Sequence, residues 1–166
     1  MFLLTGEYEL TLDNKNRLSI PAKVREQVSG EEVGKFYLVL GVNRVLSLYP
    51  ERYYQRIALA VAPRRAAPDE SLAFDRVNFA LAGRVELDRQ GRVLLNEKAI
   101  RRAKLGTELT LIGAGDHLEI WNRDQWEDYL ETKMDMHERM LLEAREEQMQ
   151  LQRELAKEVM QKEKSI

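Results

Sequence analysis

The residues best suited to chemistry in this sequence come as two matched sets. Asp13 and Arg17 stand four apart in LDNKNRLSIP, and Asp88 and Arg92 stand four apart in LDRQGRVLLN, each pair spanning a polar turn with alternating apolar residues after it. An Asp at the start of a tight turn accepts otherwise uncommitted backbone N–H groups, and Asn16 or Gly91 supplies a residue that tolerates positive φ. Such a loop is stiff. Arg17 and Arg92, just beyond the turn, would then project from a fixed platform, which lowers the entropy lost when a guanidinium engages a phosphate or the edge of a guanine. Lys15, Asn16, Arg89, Gln90 and Gly91 complete the two tips. The same spacing also lets each Asp and Arg pair with one another across the turn, a structural bond that needs no ligand.

Other chemistry is poorly served. His117 and His137 are far apart and lack companions at ligand spacing, so no metal site is expected. GAGDHL half-resembles a dinucleotide loop but precedes a strand pattern where that motif needs a helix. DNKNR imitates the start of a calcium loop, whose twelfth position here is Val24 instead of Glu. No paired carboxylates, nucleophile with base, or phosphate loop stand at usable spacing, so neither an enzyme nor a cofactor is expected. The absence of Cys removes thiolate sites and disulfides and fits a reducing cytosol. MFLLTGEYEL has only a brief apolar start without a basic flank, and no apolar run reaches the roughly 20 residues of a membrane helix, so a cytoplasmic location is expected.

A net charge of −2 looks unpromising for a nucleic-acid binder until it is divided along the chain. Residues 1–80 carry 11 Lys+Arg against 10 Asp+Glu, residues 81–126 carry 8 against 7, and residues 127–166 carry 7 against 11. The acidity sits in the tail. Lys15, Arg17, Lys23 and Arg25 cluster around the first turn, and Arg89, Arg92, Lys98, Arg101, Arg102 and Lys104 around the second. Local charge matters more than net charge for docking on phosphates.

The elements that must position these turns are themselves duplicated. The two Asp residues lie 88 − 13 = 75 apart. After each turn comes a short helix, AKVREQV or EKAIRRA, closed by a Gly-containing stretch (Gly30 to Gly34, and Gly106). Then follow two strand pairs, FYLVL to LSLYP and ELTLI to LEIWN, in which Gly41 matches Gly113 at an offset of 113 − 41 = 72. That difference puts a three-residue deletion between helix and strand in the second copy. Tyr49 and Trp121, which follow strand alternation, are read as core. Each unit is about 50 residues, a size at which a lone core is marginal. Interlocked copies solve this by letting Leu10, Leu12, Leu18 and Ile20 bury against Val85, Leu87, Val93 and Leu95. The expected fold is α+β, with two pseudo-symmetric repeats forming a barrel-like core and a long C-terminal helix.

The segments read as a first repeat at 1–56, a linker and connecting helix at 57–80, a second repeat at 81–130, and a charged helix at 131–166. Pro63 and Pro68 mark the linker, and the helix beginning near Asp69 carries Leu72, Phe74, Val77, Phe79 and Leu81 on more than one side, which suggests burial between the repeats or against another subunit. In the tail, which reads as helical from Gln125, Leu130, Met134, Leu141, Ala144, Leu151 and Leu155 fit a heptad seam only in part, because His137, Gln148 and Glu158 fall on seam positions. A surface helix or partner contact is favoured there over a stable coiled coil.

The starting MF, the line LDNKNRLSIPAKVRE, the phrase FYLVLGVNRVLSLYP and the second LDRQGRVLL together closely resemble the MraZ family of bacterial transcriptional regulators, over about residues 1–130. The resemblance implies that each half is an AbrB-like swapped-hairpin unit and that the two intertwine. It further implies a cytoplasmic, nucleoid-associated repressor that assembles into a ring of several subunits. Its partner would be double-stranded DNA, bound at short direct repeats upstream of division and cell-wall genes. By position the family motif falls on Asp13 and Arg17 and on Asp88 and Arg92, with the arginines as the expected DNA contacts. One departure is that Asn16 stands where the family usually has Gly; Asn tolerates the same backbone region. A rival expectation is a protein-interaction scaffold with incidental DNA contact, which the acidic tail favours.

Overall fold

Strands and short helices recur twice along the chain in this computed structural model, which describes residues 2–28, 33–60 and 67–164. The first half contains β1 (Glu7–Thr11), β2 (Arg17–Ser19), α1 (Ala22–Glu26), β3 (Lys35–Leu40), β4 (Leu46–Pro50) and α2 (Glu51–Ile57). A connecting helix α3 (Pro68–Ala80) leads to β5 (Gly83–Glu86), β6 (Arg92–Leu94), α4 (Glu97–Ala103), β7 (Glu108–Gly113), β8 (Leu118–Asn122) and the long α5 (Arg123–Lys164). Met1–Trp126 form one compact unit and Glu127–Ile166 a second. No helix among the described residues is long and apolar enough to cross a membrane.

The strands form a six-stranded antiparallel sheet in the order β1-β7-β8-β4-β3-β5 and a two-stranded ribbon of β2 with β6. Exchanging the repeats turns that order into its own reverse, so the sheet has an internal pseudo-twofold between β8 and β4. There Ser47 faces Glu119 at the centre of the β4–β8 pairing. In the ribbon the axis falls on Leu18 opposite Val93, positions separated by the same 75 residues as the two Asp. Both of these side chains are wholly buried.

The crossed pairing explains why two small units suffice as one. β1 pairs with β7 and β5 with β3, so each repeat supplies the outer strand of the other. Leu12, Leu18 and Ile20 from one half and Val93 and Leu95 from the other enter a single core with Phe36, Leu48, Leu109 and Leu118. Leu10, Val85 and Leu87 pack on it partly buried. A side chain such as Leu18, moved fully from water, contributes on the order of 1.5–3 kcal/mol.

Five features depart from the pattern in the sequence. First, β1 and β2 do not form a hairpin with each other, and neither do β5 and β6: after the turn the chain leaves the large sheet for the ribbon, because the apolar face of each strand is covered by the other repeat. Second, α3 buries none of its residues, and Leu72, Val77 and Phe79 are exposed, so its expected burial between repeats is not realised within this chain. Its apolar positions are spread around the axis and present no single stripe. Its start is set by Pro68 in the first turn and by Glu70, whose carboxylate accepts the Ala67 N–H at 3.2 Å. Third, α4 closes on Lys104 in the left-handed region (φ 51°), ahead of the expected Gly106. Fourth, Phe36 and Leu38 occupy the places of Leu109 and Leu111, an offset of 109 − 36 = 73. The connection between β3 and β4 is therefore one residue longer than that between β7 and β8, and Gly41 is not the counterpart of Gly113. Fifth, the long helix begins at Arg123, ahead of Gln125. Tyr49 is half-buried and Trp121 buried, in keeping with core roles. Gly30 and Pro63 lie outside the described residues.

Candidate nucleic-acid interface

Each turn is built around one carboxylate. Asp13 Oδ1 accepts the backbone N–H groups of Lys15 and Arg17, both at 2.9 Å, and Oδ2 accepts Arg17 Nε–H at 2.7 Å. Asp88 repeats the arrangement: Oδ1 accepts from the N–H of Gln90 at 2.9 Å and of Arg92 at 3.0 Å, and Oδ2 from Arg92 Nε–H at 2.8 Å, with an Nη of the same guanidinium 2.7 Å away in the ion pair. Backbone bonds close the loop from inside, with Asn16 donating to the Asp13 carbonyl at 3.0 Å and Gly91 to that of Asp88 at 2.9 Å. The reversal needs a left-handed residue, supplied by Asn16 (φ 59°) and Gly91 (φ 74°).

Three donors on one carboxylate leave an electrostatic mark. The Arg92 side chain and backbone N–H hold Asp88 down at about 2, and the backbone N–H and side chain of Arg17 likewise lower Asp13. Both carboxylates stay charged at neutral pH, so the internal Asp–Arg pair and the stiff platform are one device. The guanidiniums are not lost to solvent by this pairing: Arg17 and Arg92 keep side-chain exposures of 29% and 24%. A guanidinium has five N–H donors, and the Asp grips the Nε edge, leaving Nη hydrogens of the fork for another acceptor.

The two turns are tied to each other. Ile20 N–H donates to the Gly91 carbonyl and Leu95 N–H to the Asn16 carbonyl, each at 2.9 Å. These bonds exchange under the pseudo-twofold and, with the β2–β6 ribbon between them, fix both tips on one support. Lys15, Arg89 and Gln90 are exposed at the tips, Asn16 is partly exposed, and Gly91 is buried. The structure thus brings every expected tip residue into one of two linked turns.

The family profile described as "MraZ protein, putative antitoxin-like" matches residues 3–75 and 79–152. The chain belongs to the MraZ family. Among curated relatives, the transcriptional regulator MraZ of Moorella thermoacetica is 34% identical over 136 residues, covering 82% of this chain and 92% of the relative. The protein of the same name from Thermomicrobium roseum is 38% identical over 126 residues, covering 76% and 84%. That from Clostridium acetobutylicum is 33% identical over 135 residues, covering 81% and 92%. The first matched segment carries β1 to β4 and the second β5 to β8.

Two features of this MraZ chain escaped the sequence pattern. Arg25, on α1 of the first repeat, lies over the second turn: a Cβ built on Gly91 would stand 2.8 Å from its Cζ, while its Nε–H donates to the Ile20 carbonyl at 3.2 Å. Basic spacing alone flagged the charge and not this cross-repeat contact. The second feature is a polar cluster at the β7–β8 turn. His117 sits between Asp116 Oδ1 at 2.6 Å and Glu119 Oε1 at 3.3 Å and stacks on Tyr49 with centroids 4.6 Å apart. Tyr53 donates to Asp116 at 2.7 Å and Trp121 to Glu119 at 2.9 Å. Burial lowers His117, but the hydrogen bonds to Glu119 and Asp116 outweigh it and hold the imidazole above its ordinary value. The signal in sequence was the run Asp116-His117 with Glu119 two residues on, which becomes a cluster only when β4 and α2 of the other repeat add Tyr49 and Tyr53.

Proposed function

We propose that this chain is a transcription regulator that binds double-stranded DNA sequence-specifically through its two Asp-x-x-x-Arg turns. Arg17 and Arg92 engage phosphate or a guanine edge, Lys15 and Arg89 add charge at the tips, and Asn16, Gln90 and Gly91 bring the backbone close. The repeats form the AbrB-like swapped-hairpin core of the family, several copies assemble in a ring, and the targets are direct repeats ahead of division and cell-wall genes, which the protein represses in the cytoplasm at the nucleoid. One observation carries this reading: two carboxylate-braced turns, joined by reciprocal backbone bonds, hold two partly exposed guanidiniums on one support. Preorganisation of that kind reduces the ordering cost of binding, and several weak turns on spaced repeats gain by effective concentration.

The test is fluorescence anisotropy with DNA from upstream of the chain's own gene. Arg17→Ala and Arg92→Ala should each weaken binding by about 1–3 kcal/mol, if each removes a bidentate base contact, and together abolish it. Affinity should also fall steeply with salt. Wild-type binding by the double variant, with its fold intact by circular dichroism, refutes the assignment of the contacts.

A further inference from the structure

The tail offers a surface the DNA reading does not use. α5 is continuous over 42 residues, and in its second unit Met134, Leu141, Leu151 and Leu155 are 49%, 50%, 58% and 53% exposed. These residues lie with Leu130, His137, Ala144 and Gln148 along the heptad seam at alternating steps of four and three. Between Leu130 and Leu155 the seam of one chain is interrupted by two polar residues, His137 and Gln148; Glu158, the third polar seam residue, lies beyond this stretch. Against a second copy running the opposite way the interruption disappears.

We propose that the α5 tails of two copies pair antiparallel, with the crossing centred between Leu142 and Glu143. In an antiparallel pair each seam position faces the complementary seam position of the other helix. In this register Leu130 meets Leu155, Met134 meets Leu151 and Leu141 meets Ala144. His137 meets Gln148, so the two polar seam residues within the overlap face each other and can share a hydrogen bond, while every apolar layer of the overlap is matched by an apolar one. The residues flanking the seam agree: Glu138 falls beside Arg145 and Lys133 beside Glu154, each twice by symmetry, and the remaining flanking pairs, Glu131 with Gln152 and Met140 with Glu147, bring no like charges together. A parallel in-register pair would set His137 on His137 and Gln148 on Gln148, and would replace the four opposite-charge contacts with two different ones, both Lys133 with Glu138. The antiparallel overlap runs from Leu130 to Leu155, roughly 39 Å at 1.5 Å per residue. The occupant of this face is therefore a second copy of the same chain, and the contact is independent of the turns that read DNA.

The native chain has no Cys, so introduced thiols report the register directly. Full-length Met134→Cys and Leu151→Cys proteins are co-expressed, purified together and oxidised mildly. Facing positions meet the roughly 4.4–6.8 Å Cα separation a disulfide needs, whereas two copies of either position alone are about 25 Å apart along the antiparallel pair. The expected product is the mixed 134–151 disulfide, with little of either homodisulfide. Adding Leu141→Asp to both chains should lower the mixed product at least fivefold, and Leu142→Asp, on the outer face, should leave it unchanged. Homodisulfides in each variant alone would mean a parallel pair and overturn the proposal. So would no disulfide in protein that retains wild-type helicity, or equal losses from the two Asp substitutions.

Discussion

Gly91→Ala tests whether the second turn is shaped by its own backbone alone or also by the repeat across the axis. Gly91 adopts φ 74°, a region where an L side chain costs about 1–2 kcal/mol. The new Cβ would also stand 2.8 Å from Arg25 Cζ and 3.0 Å from its Nε, so the guanidinium must move. Moving it breaks the 3.2 Å bond to the Ile20 carbonyl, which is worth about 1 kcal/mol. The expected total is about 2–3 kcal/mol, or roughly 4–12 °C in Tm at about 2–4 °C per kcal/mol for a domain of this size. Only the second contribution depends on Arg25. Urea denaturation of Gly91→Ala, Arg25→Ala and the double variant should therefore show Gly91→Ala costing about 1 kcal/mol less once Arg25 is gone, a coupling above the roughly 0.3–0.5 kcal/mol scatter of independent sites. Asn16→Ala, at the matching position with φ 59°, is the internal control for replacing a left-handed residue. Additive effects in the cycle would refute the brace, and an unchanged midpoint for Gly91→Ala would refute the backbone argument as well.

Three further outcomes follow from the geometry. Gly113→Ala should destabilise by about 1–3 kcal/mol in chemical melts, because its Cβ would overlap the Leu4–Thr5 backbone, which cannot swing aside as a side chain can; an unshifted midpoint would contradict the packing. Asp88 is ordinary at about 4 when unfolded and about 2 when folded, so its contribution is present above about pH 4 and is lost as pH falls toward 2. NMR titration should find its carboxyl at the lower value in the native protein and nearer 4 in Arg92→Ala. His117 has the opposite sign: its folded value is raised, so its contribution is complete below about pH 6.5 and fades as pH climbs through the folded value. Stability of the wild type should fall between pH 6 and pH 9 by more than that of His117→Gln, and equal slopes would remove the cluster from the account.

How much of this was legible in the sequence depended on whether the signal was local. The turns were legible because Asp, a left-handed residue and Arg act within five positions, and the hydrogen bonds of Asp13 and Asp88 use those residues in that order. Apolar alternation placed Leu18, Ile20, Val93 and Leu95 correctly in the core for the same reason. Pairing partners were another matter: nothing within LDNKNRLSI says that β1 will bond to β7 and β2 to β6, since both choices satisfy the same alternation. The one-residue difference between the β3–β4 and β7–β8 connections was hidden by a misleading Gly41–Gly113 match. The place of Arg25 over Gly91 and the stacking of His117 on Tyr49 were illegible because those partners come from the other repeat.

The duplication is also less symmetric than its sheet order suggests, and the asymmetry has a physical cause. The residue 75 after Arg25 is Ile100, which packs against the main core and brings no guanidinium. Where Arg25 covers the second turn, a side chain on the left-handed residue has no room, and Gly91 stands there. The first turn carries Asn16 in the same backbone region, with a side chain partly in solvent. The exchange of Gly for Asn between otherwise matching turns thus follows from the exchange of Arg for Ile on the short helices. Two copies of one loop with different braces need not be equally stiff, so a chain built this way can hold one tip more firmly than the other. Replacing Arg25 should loosen the second turn selectively, seen as faster hydrogen exchange at the amides that Asp88 holds, Gln90 and Arg92, with those of Lys15 and Arg17 unaltered. Equal acceleration in both turns would show that Arg25 acts through the shared ribbon and not on the loop it covers.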